Sequence, residues 1–196
     1  MIALDIEASG TDYSLHSIVS IGAIDTLHPE RRFYVECRVW DGAKIMQDTL
    51  KVNGFTEAEI TDKNKLTEAE AVRQFIEWSQ HMDDRTILGQ NPSFDRDMVR
   101  AAALRAGIAF DFSYRTLDTH TMAYTHMVGK GIVPPHDVSR RRTDLTLDKI
   151  LEYCGIPEEP QPHNALTGAM CHAEVANRLL FNKKLLPEFA HYEIPW

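Results

Sequence analysis

Three β-type runs follow one another within the first forty residues, and only short links separate them. Residues 2–6 (Ile-Ala-Leu-Asp-Ile) are the first, and residues 17–25 and 32–40, joined through His28-Pro29, are the second and third. Successive strands with short connections predict an antiparallel meander. After residue 66 the pattern changes. Thr67 to His81 carries Ala71, Phe75, Ile76 and Trp78 at helical spacing, and Thr67 with Glu70 forms a capping box at its start. Thr86-Ile-Leu-Gly reads as a short strand, and Asn91-Pro92 opens a helix to about Arg105, closed by Gly107. Arg115-Thr-Leu-Asp is a further strand leading into 119–128, and the polar, basic stretch 129–144 reads as a loop. Thr146 to Tyr153 reads as a helix, and the last helix runs from about Asn164 to Leu180, after the Pro-rich 157–162. Three strands, then alternating helix and strand, then two helices predict an α/β sandwich with a mixed sheet.

The length of 196 residues fits one domain. A net charge of −8 counts against a protein that coats nucleic acid, because phosphate contacts draw on Lys and Arg. It counts less against a metal-dependent nuclease, which gathers carboxylates and lets a cation meet the phosphate. Cys37, Cys154 and Cys171 are scattered, without zinc or disulfide spacing, so a reducing cytoplasm is the expected location. No apolar run is long enough to span a bilayer, and no basic segment precedes residues 1–7 to make them a signal peptide.

Four places carry candidate chemistry. Strand alternation puts Asp5 and Glu7 on one face, where two carboxylates repel unless a cation lies between them; the other reading is a solvated pair on an exposed edge. Asp95, in Gly89-Gln90-Asn91-Pro92-Ser93-Phe94-Asp95, sits where a strand gives way to a helix, the place where α/β ligand sites gather. Taken alone it reads as a first-turn helix acid. His163 at a helix start suits a general base, or is an ordinary surface or core histidine. Arg140-Arg141-Arg142 either grips phosphates or is a solvated loop.

Together these places form an ordered set. Asp5-Ile-Glu7-Ala-Ser9-Gly10 resembles the first motif of the DnaQ-like (DEDDh) 3'–5' exonucleases, Asp-x-Glu-Thr-Thr-Gly. Asn91-Pro-Ser-Phe94-Asp95 resembles the second, Asn-x-x-Phe-Asp, and His163-x-Ala165 resembles the start of the third, His-x-Ala-x-x-Asp. Leu117-Asp118-Thr119 and Asn53-Gly54-Phe55-Thr56 resemble two supporting segments, so the likeness runs in order from residue 2 to about residue 182. It implies an RNase H-like fold, with a mixed five-stranded sheet flanked by helices, over 1–182, and a C-terminal tail at 183–196. It also implies a two-metal hydrolysis of terminal phosphodiesters in single-stranded DNA or RNA, with Mg²⁺ or Mn²⁺ as cofactor. By resemblance Asp5 bridges both ions, Glu7 holds the ion carrying the attacking water, Asp95 helps hold the second, and His163 takes the proton. Ser9, Gly10 and Asn91 are the expected substrate contacts.

The pattern breaks at one place. Where the family has the third-motif Asp, this chain has Gly168. Thr167 points about 100° away around the helix and Glu174 lies more than a turn on, so neither is expected to replace the lost ligand. The loss of one catalytic element implies an activity reduced about 10²–10⁴-fold. The alternative is a non-catalytic module that binds 3' ends or a polymerase. Thr11 stands where many members carry a base-stacking apolar residue, which leaves Tyr13 or His16 for that role. Further expectations are a 3'-end strand as partner, a homodimer as in some relatives, and a polymerase or other protein docking on the aromatic 183–196 tail, or that tail folding back on its own core.

Overall fold

The computed structural model describes residues 1–196. A five-stranded sheet runs in the order β3-β2-β1-β4-β5, formed by β1 (Ile2–Ala8), β2 (Ile18–Asp25), β3 (Arg32–Glu36), β4 (Ile87–Gly89) and β5 (Thr116–Asp118). β1, β2 and β3 pair antiparallel, whereas β4 and β5 join β1 in parallel, so the sheet is mixed, as the meander and the later alternation predict.

Between β3 and β4 lie α1 (Gln47–Asn53), α2 (Glu57–Ile60) and α3 (Glu68–Ser79); α4 (Pro92–Arg105) connects β4 to β5. After β5 come α5 (Thr119–Gly129), a small hairpin of β6 (His136–Asp137) and β7 (Arg142–Thr143), α6 (Leu147–Tyr153) and α7 (Ala165–Phe181). Thr67 and Glu70 make the reciprocal capping box at the start of α3. Three details differ from the expectation. The third strand stops at Glu36 rather than residue 40, because the chain leaves β2 to make a single bridge from Arg38 to Thr67. α1 and α2 fill a stretch assigned no element; at seven and four residues they owe their existence to caps and packing, not periodicity. The 129–144 loop contains the β6–β7 hairpin, turned through Arg141 in the left-handed region at φ 53°.

Alternation along β1 divides the layers. Ile2, Leu4 and Ile6 face a core completed by Phe75 of α3 and Met98 and Val99 of α4. Ala3 faces the other way, against Ala173 and Ala176 of α7. α7 lies close because its sheet-facing positions are small and because β2 offers Gly22: a Cβ there would overlap the backbone of Ala165. That approach sets the beginning of α7 over the middle of β1.

The tail beyond α7 packs on the body. Arg178, fully buried, donates from Nε to Glu174 Oε1 at 2.7 Å and from its terminal nitrogens to the carbonyls of Cys154, Phe189, Tyr192 and Glu193. Trp196 stacks on Tyr153 with ring centroids 5.1 Å apart. The aromatic residues of 183–196 therefore serve this chain's own packing. No helix is long and apolar enough to cross a membrane, and the three cysteines are free and buried.

Candidate active site

β1 and β4 are paired only at Ile2–Ile87 and Ala3–Leu88. Beyond Ala3 the β4-facing edge of β1 has no strand partner, and this opening at the carboxyl end of the parallel pair is where the acidic side chains meet. Asp5 and Glu7 stand opposite Gly22 and Ser20 of β2, on the face covered by α7. Asp95, in the first turn of α4, enters from the opened edge, and its Oδ1 accepts the Ile6 amide hydrogen at 3.1 Å. The helix start is held in turn: the Asn91 amide donates to Asp118 Oδ1 at 3.0 Å, and Asn91 adopts the left-handed conformation at φ 50°. Asp118 also caps α5, so the second motif and the end of β5 form one bonded unit.

Position 168 lies against Asp5. A Cβ on Gly168 would overlap the Asp5 carboxylate at Oδ2. Asp5 thus occupies the space a side chain at 168 would use, while Nε2 of His172, one turn further along α7, lies 3.7 Å from Asp5 Oδ1. Two groups here went unnoticed in the sequence. His172 is 3 % exposed and its Nδ1 has no hydrogen-bond partner. Glu159, from the Pro-rich loop before α7, is 6 % exposed with Oε1 unpartnered, and its Oε2 lies 3.9 Å from Nδ1 of His163. His163, one-third exposed, is held by its amide to the Val52 carbonyl at 3.2 Å. The i,i+4 spacing of Glu159 and His163 is the signal that was available.

The charges act chiefly on one another. Burial, then the charges of Asp5 and Glu159, push the Glu7 carboxyl up to about 8. Burial, then Asp5, pushes Asp95 up to about 8, against the pull of His172. Burial and then Glu159 hold Asp5 well above the ordinary carboxylate range. Burial also raises Glu159, with His163 opposing, and it lowers His172, which favours the neutral ring.

The donor set is of the kind a hard divalent cation takes, carboxylates from β1 and α4, and one oxygen of Glu159 is buried without a donor. As the side chains stand, no three of them close on one coordination point. The remaining expected residues divide. Ser9 is fully buried and committed to the loop, donating from its amide to Ser17 and from its hydroxyl to Lys44, and accepting at its carbonyl from Met46. Gly10 lies directly beneath the His16 ring, and His16 is buried and bonded to the Asp12 amide, so it is not free to stack. Tyr13 is exposed, in a shallow depression with Arg100 and Leu104. Glu174 is held by Arg178 and by the amides of Leu185 and Leu186.

A family model described as the 3'-5' exoribonuclease Rv2179c-like domain matches residues 1–180. Ribonuclease T of Haemophilus influenzae strain PittGG is 25 % identical over 122 residues, covering 55 % of this chain and 52 % of that protein. The strain PittEE protein is 27 % identical over 120 residues, with the same coverage. The chain thus spans about half the length of these curated relatives. E. coli Exonuclease I in complex with a dT13 oligonucleotide superposes with a TM-score of 0.72 at 18 % identity, over 93 % of this chain and 41 % of that one. The nuclease domain of 3'hExo, a DEDDh family member bound to rAMP, gives 0.67 at 16 % identity, over 94 % and 93 %. At these identities the likeness speaks for the fold.

Proposed function

Because the chain belongs to the Rv2179c-like 3'–5' exoribonuclease family, within the DnaQ-like exonucleases of the RNase H-like superfamily, we propose that it shortens single-stranded nucleic acid from the 3' end in the two-metal DEDDh manner. The observation that carries this reading is the placing of Asp5 and Glu7 on one face of β1, with Asp95 bonded to the amide of Ile6, which lies between them in sequence, and Asp5 against Gly168 at the start of α7. Such a cluster is costly unless cations neutralise it.

Asp5 and Glu7 would hold Mg²⁺ or Mn²⁺ from β1, and Asp95 from α4, its orientation fixed by the Ile6 amide. Bound there, the ions would supply an acidified water and neutralise charge on the phosphate. His163, one-third exposed, would serve as the general base, with Glu159 beside Nδ1 to stabilise the imidazolium. With the main chain of Ser9 engaged and Gly10 buried beneath His16, the terminal contact falls to Asn91, exposed at the start of α4. The hairpin carrying Arg140-Arg141-Arg142 sits beside this edge, tied by His120 Nε2 to Thr143 Oγ1 at 2.7 Å and by Gln90 to the Leu145 carbonyl, and offers positive charge to the entering backbone. Gly168 leaves the site one carboxylate short of the family pattern, so the chain works below the rate of a Gly168→Asp variant.

The test is a 5'-labelled oligonucleotide, as RNA and as DNA, incubated with Mn²⁺, with Mg²⁺ and with chelator. The expected result is a ladder shortening from the 3' end, stopped by chelator and by Asp5→Asn. Failure of both the natural chain and Gly168→Asp to shorten either strand overturns the reading. Binding without shortening in both would support a 3'-end holder, which Gly168 favours when considered alone.

A further inference from the structure

We infer that the β6–β7 hairpin grips the phosphates that precede the terminal one, so that the substrate is a strand of several nucleotides held by its backbone and not a dinucleotide; the inference rests on the exonuclease reading. Charge is the first ground. The chain carries a net −8, yet residues 136–143 hold Arg140, Arg141 and Arg142, all exposed, against the single acid Asp137. Elsewhere arginines are closed by carboxylates, as Arg85, Arg105 and Arg178 are at 2.7, 2.9 and 2.7 Å. In the hairpin the ion pair is long, Arg140 Nε to Asp137 Oδ2 at 3.7 Å, and Asp137 is already engaged: its Oδ1 accepts the Ser139 hydroxyl at 2.6 Å and the Arg140 amide at 3.0 Å. Arg142 stands across from that same Asp137 in the hairpin register, and Arg141, at the turn, pairs with no acid.

Placement is the second ground, and it stands on contacts. The foot of the hairpin is tied to the ends of both parallel strands. His120 Nε2, just past β5, lies 2.7 Å from Thr143 Oγ1, and Gln90, just past β4, donates from Nε2 to the Leu145 carbonyl at 3.1 Å. Asp118 joins these two points, because its Oδ1 accepts the amides of Asn91 and His120 at 3.0 and 3.2 Å. The same Asn91 begins α4, whose first turn carries Asp95. The hairpin is thus fixed to the edge from which Asp95 enters. Arg141 lies two residues beyond Thr143, about 7 Å at the rise of a strand, and its guanidinium extends farther. The positive charge therefore stands outward of the edge, which suits the approaching strand and not the bond being cut.

An anionic membrane is the other partner that three exposed arginines would fit, beside Val133 and Val138 at 88 % and 81 % exposed. Three arginines fall short of the roughly four to eight basic residues that hold a segment on anionic lipid, and the ties to β4 and β5 serve a ligand that also reaches the carboxylates.

The test measures binding in chelator, which stops hydrolysis and leaves the arginines as they are. A 5'-labelled oligothymidylate of about twelve nucleotides and the thymidine dinucleotide are titrated with the full chain and with its Arg140→Gln, Arg141→Gln, Arg142→Gln triple variant, between about 50 and 200 mM salt. On a single strand each phosphate contact adds about 0.7 to the slope of log affinity against log salt, so the variant should lose about 2 from the slope and at least about tenfold in long-strand affinity at the lower salt. The dinucleotide should bind both proteins alike. Lysine at all three positions should keep the slope, which separates charge from the folding of the hairpin. In the ladder assay KM for the long strand should rise while kcat holds. An unchanged slope in the glutamine variant overturns the inference, as does absence of long-strand binding by the natural chain at the lower salt. An equal loss on the dinucleotide also overturns it, because the arginines would then meet the terminal phosphate. Arginine-dependent binding to phosphatidylserine vesicles with strand affinity unchanged overturns it in favour of a membrane. None of these outcomes touches the 3'-end ladder, whereas arginine-dependent long-strand binding without any ladder supports the clamp and overturns hydrolysis alone.

Discussion

Gly168→Asp should change stability in opposite directions with and without metal. The new Cβ overlaps Asp5 Oδ2, which is the end of a side chain and not backbone, so Asp5 can turn away and the variant folds. The added carboxyl then joins groups that hold their protons in the metal-free protein, and keeping one more proton that water would take at pH 7 costs about 3–4 kcal/mol. Against this, replacing a helical Gly and placing an acid in the first turn of α7 together return about 1 kcal/mol. The net loss in chelator is about 2–3 kcal/mol, which for a domain of this size lowers Tm by about 5–10 °C. Saturating Mn²⁺ should reverse the order. The variant binds more tightly than the natural chain, and a hundredfold excess over its Kd adds about 2.7 kcal/mol to the folded state. Exonuclease turnover should rise about 10²-fold. Melting curves of both proteins in chelator and in Mn²⁺, beside the labelled-strand assay, decide the matter. A variant that melts higher than the natural chain in chelator and gains nothing from Mn²⁺ would refute the argument, because position 168 would then be a surface helix site unconnected to the carboxylates.

Three further outcomes follow from the same geometry. In chelator, stability should fall as pH rises from about 4.5 to about 8: Glu7 and Asp95, both raised to about 8, keep protons in the folded state that the unfolded chain has released, and Mn²⁺ should flatten the slope, as denaturant melts across that range would record. Arg178→Met should cost about 3–5 kcal/mol, because it leaves Glu174 buried without its partner and frees four carbonyls, and limited proteolysis should then cut within 187–196. Gly22→Ala should cost about 1–3 kcal/mol or more, because the obstacle is the Ala165 backbone and not a side chain, and it should weaken Mn²⁺ binding by lifting α7 from β1; retention of full Mn²⁺ affinity would separate the helix position from the site.

The sheet and the long helices were legible because each carries a local signal. β1 and β2 are largely apolar, α3 has its capping box and apolar spacing, and α4 has Pro at its start. α1, α2 and the β6–β7 hairpin carry none: they are too short for periodicity, and their residues are ordered by what they pack on. The site divides in the same way. Asp5 and Glu7 share a face by strand alternation, and Asp95 follows from the strand-to-helix boundary. Glu159 and His172 were missed for different reasons. Glu159 lies in a Pro-rich loop whose direction is set by the docking of α7, and His172 sits in a helix so uniformly buried that a polar residue there reads as core. Ser9 shows the reverse: the motif marks it as a substrate contact, while the fold has used its amide, carbonyl and hydroxyl to hold the loop.

α7 itself shows how this fold buries an acid when structure is the purpose. Glu174 is fully buried, and each of its oxygens is satisfied: Oε1 accepts from Arg178 at 2.7 Å, and Oε2 accepts the amides of Leu185 and Leu186 at 2.9 and 2.8 Å. Glu68, also buried, receives Arg105 and the Ile18 amide in the same way. Around the start of α7 the treatment is the opposite. Burial raises Asp5, Glu7 and Glu159 alike, and the Glu159 charge adds to the rise of Asp5 and Glu7, while His163 and His172 oppose the rise of Glu159. No arginine or lysine pairs with these three, and on the proposed reading a cation offsets the cost of holding them. On the proposed reading, that contrast separates a metal site from a charged patch of the core. It also explains why replacing one member by its amide should stabilise the metal-free protein while weakening its grip on Mn²⁺.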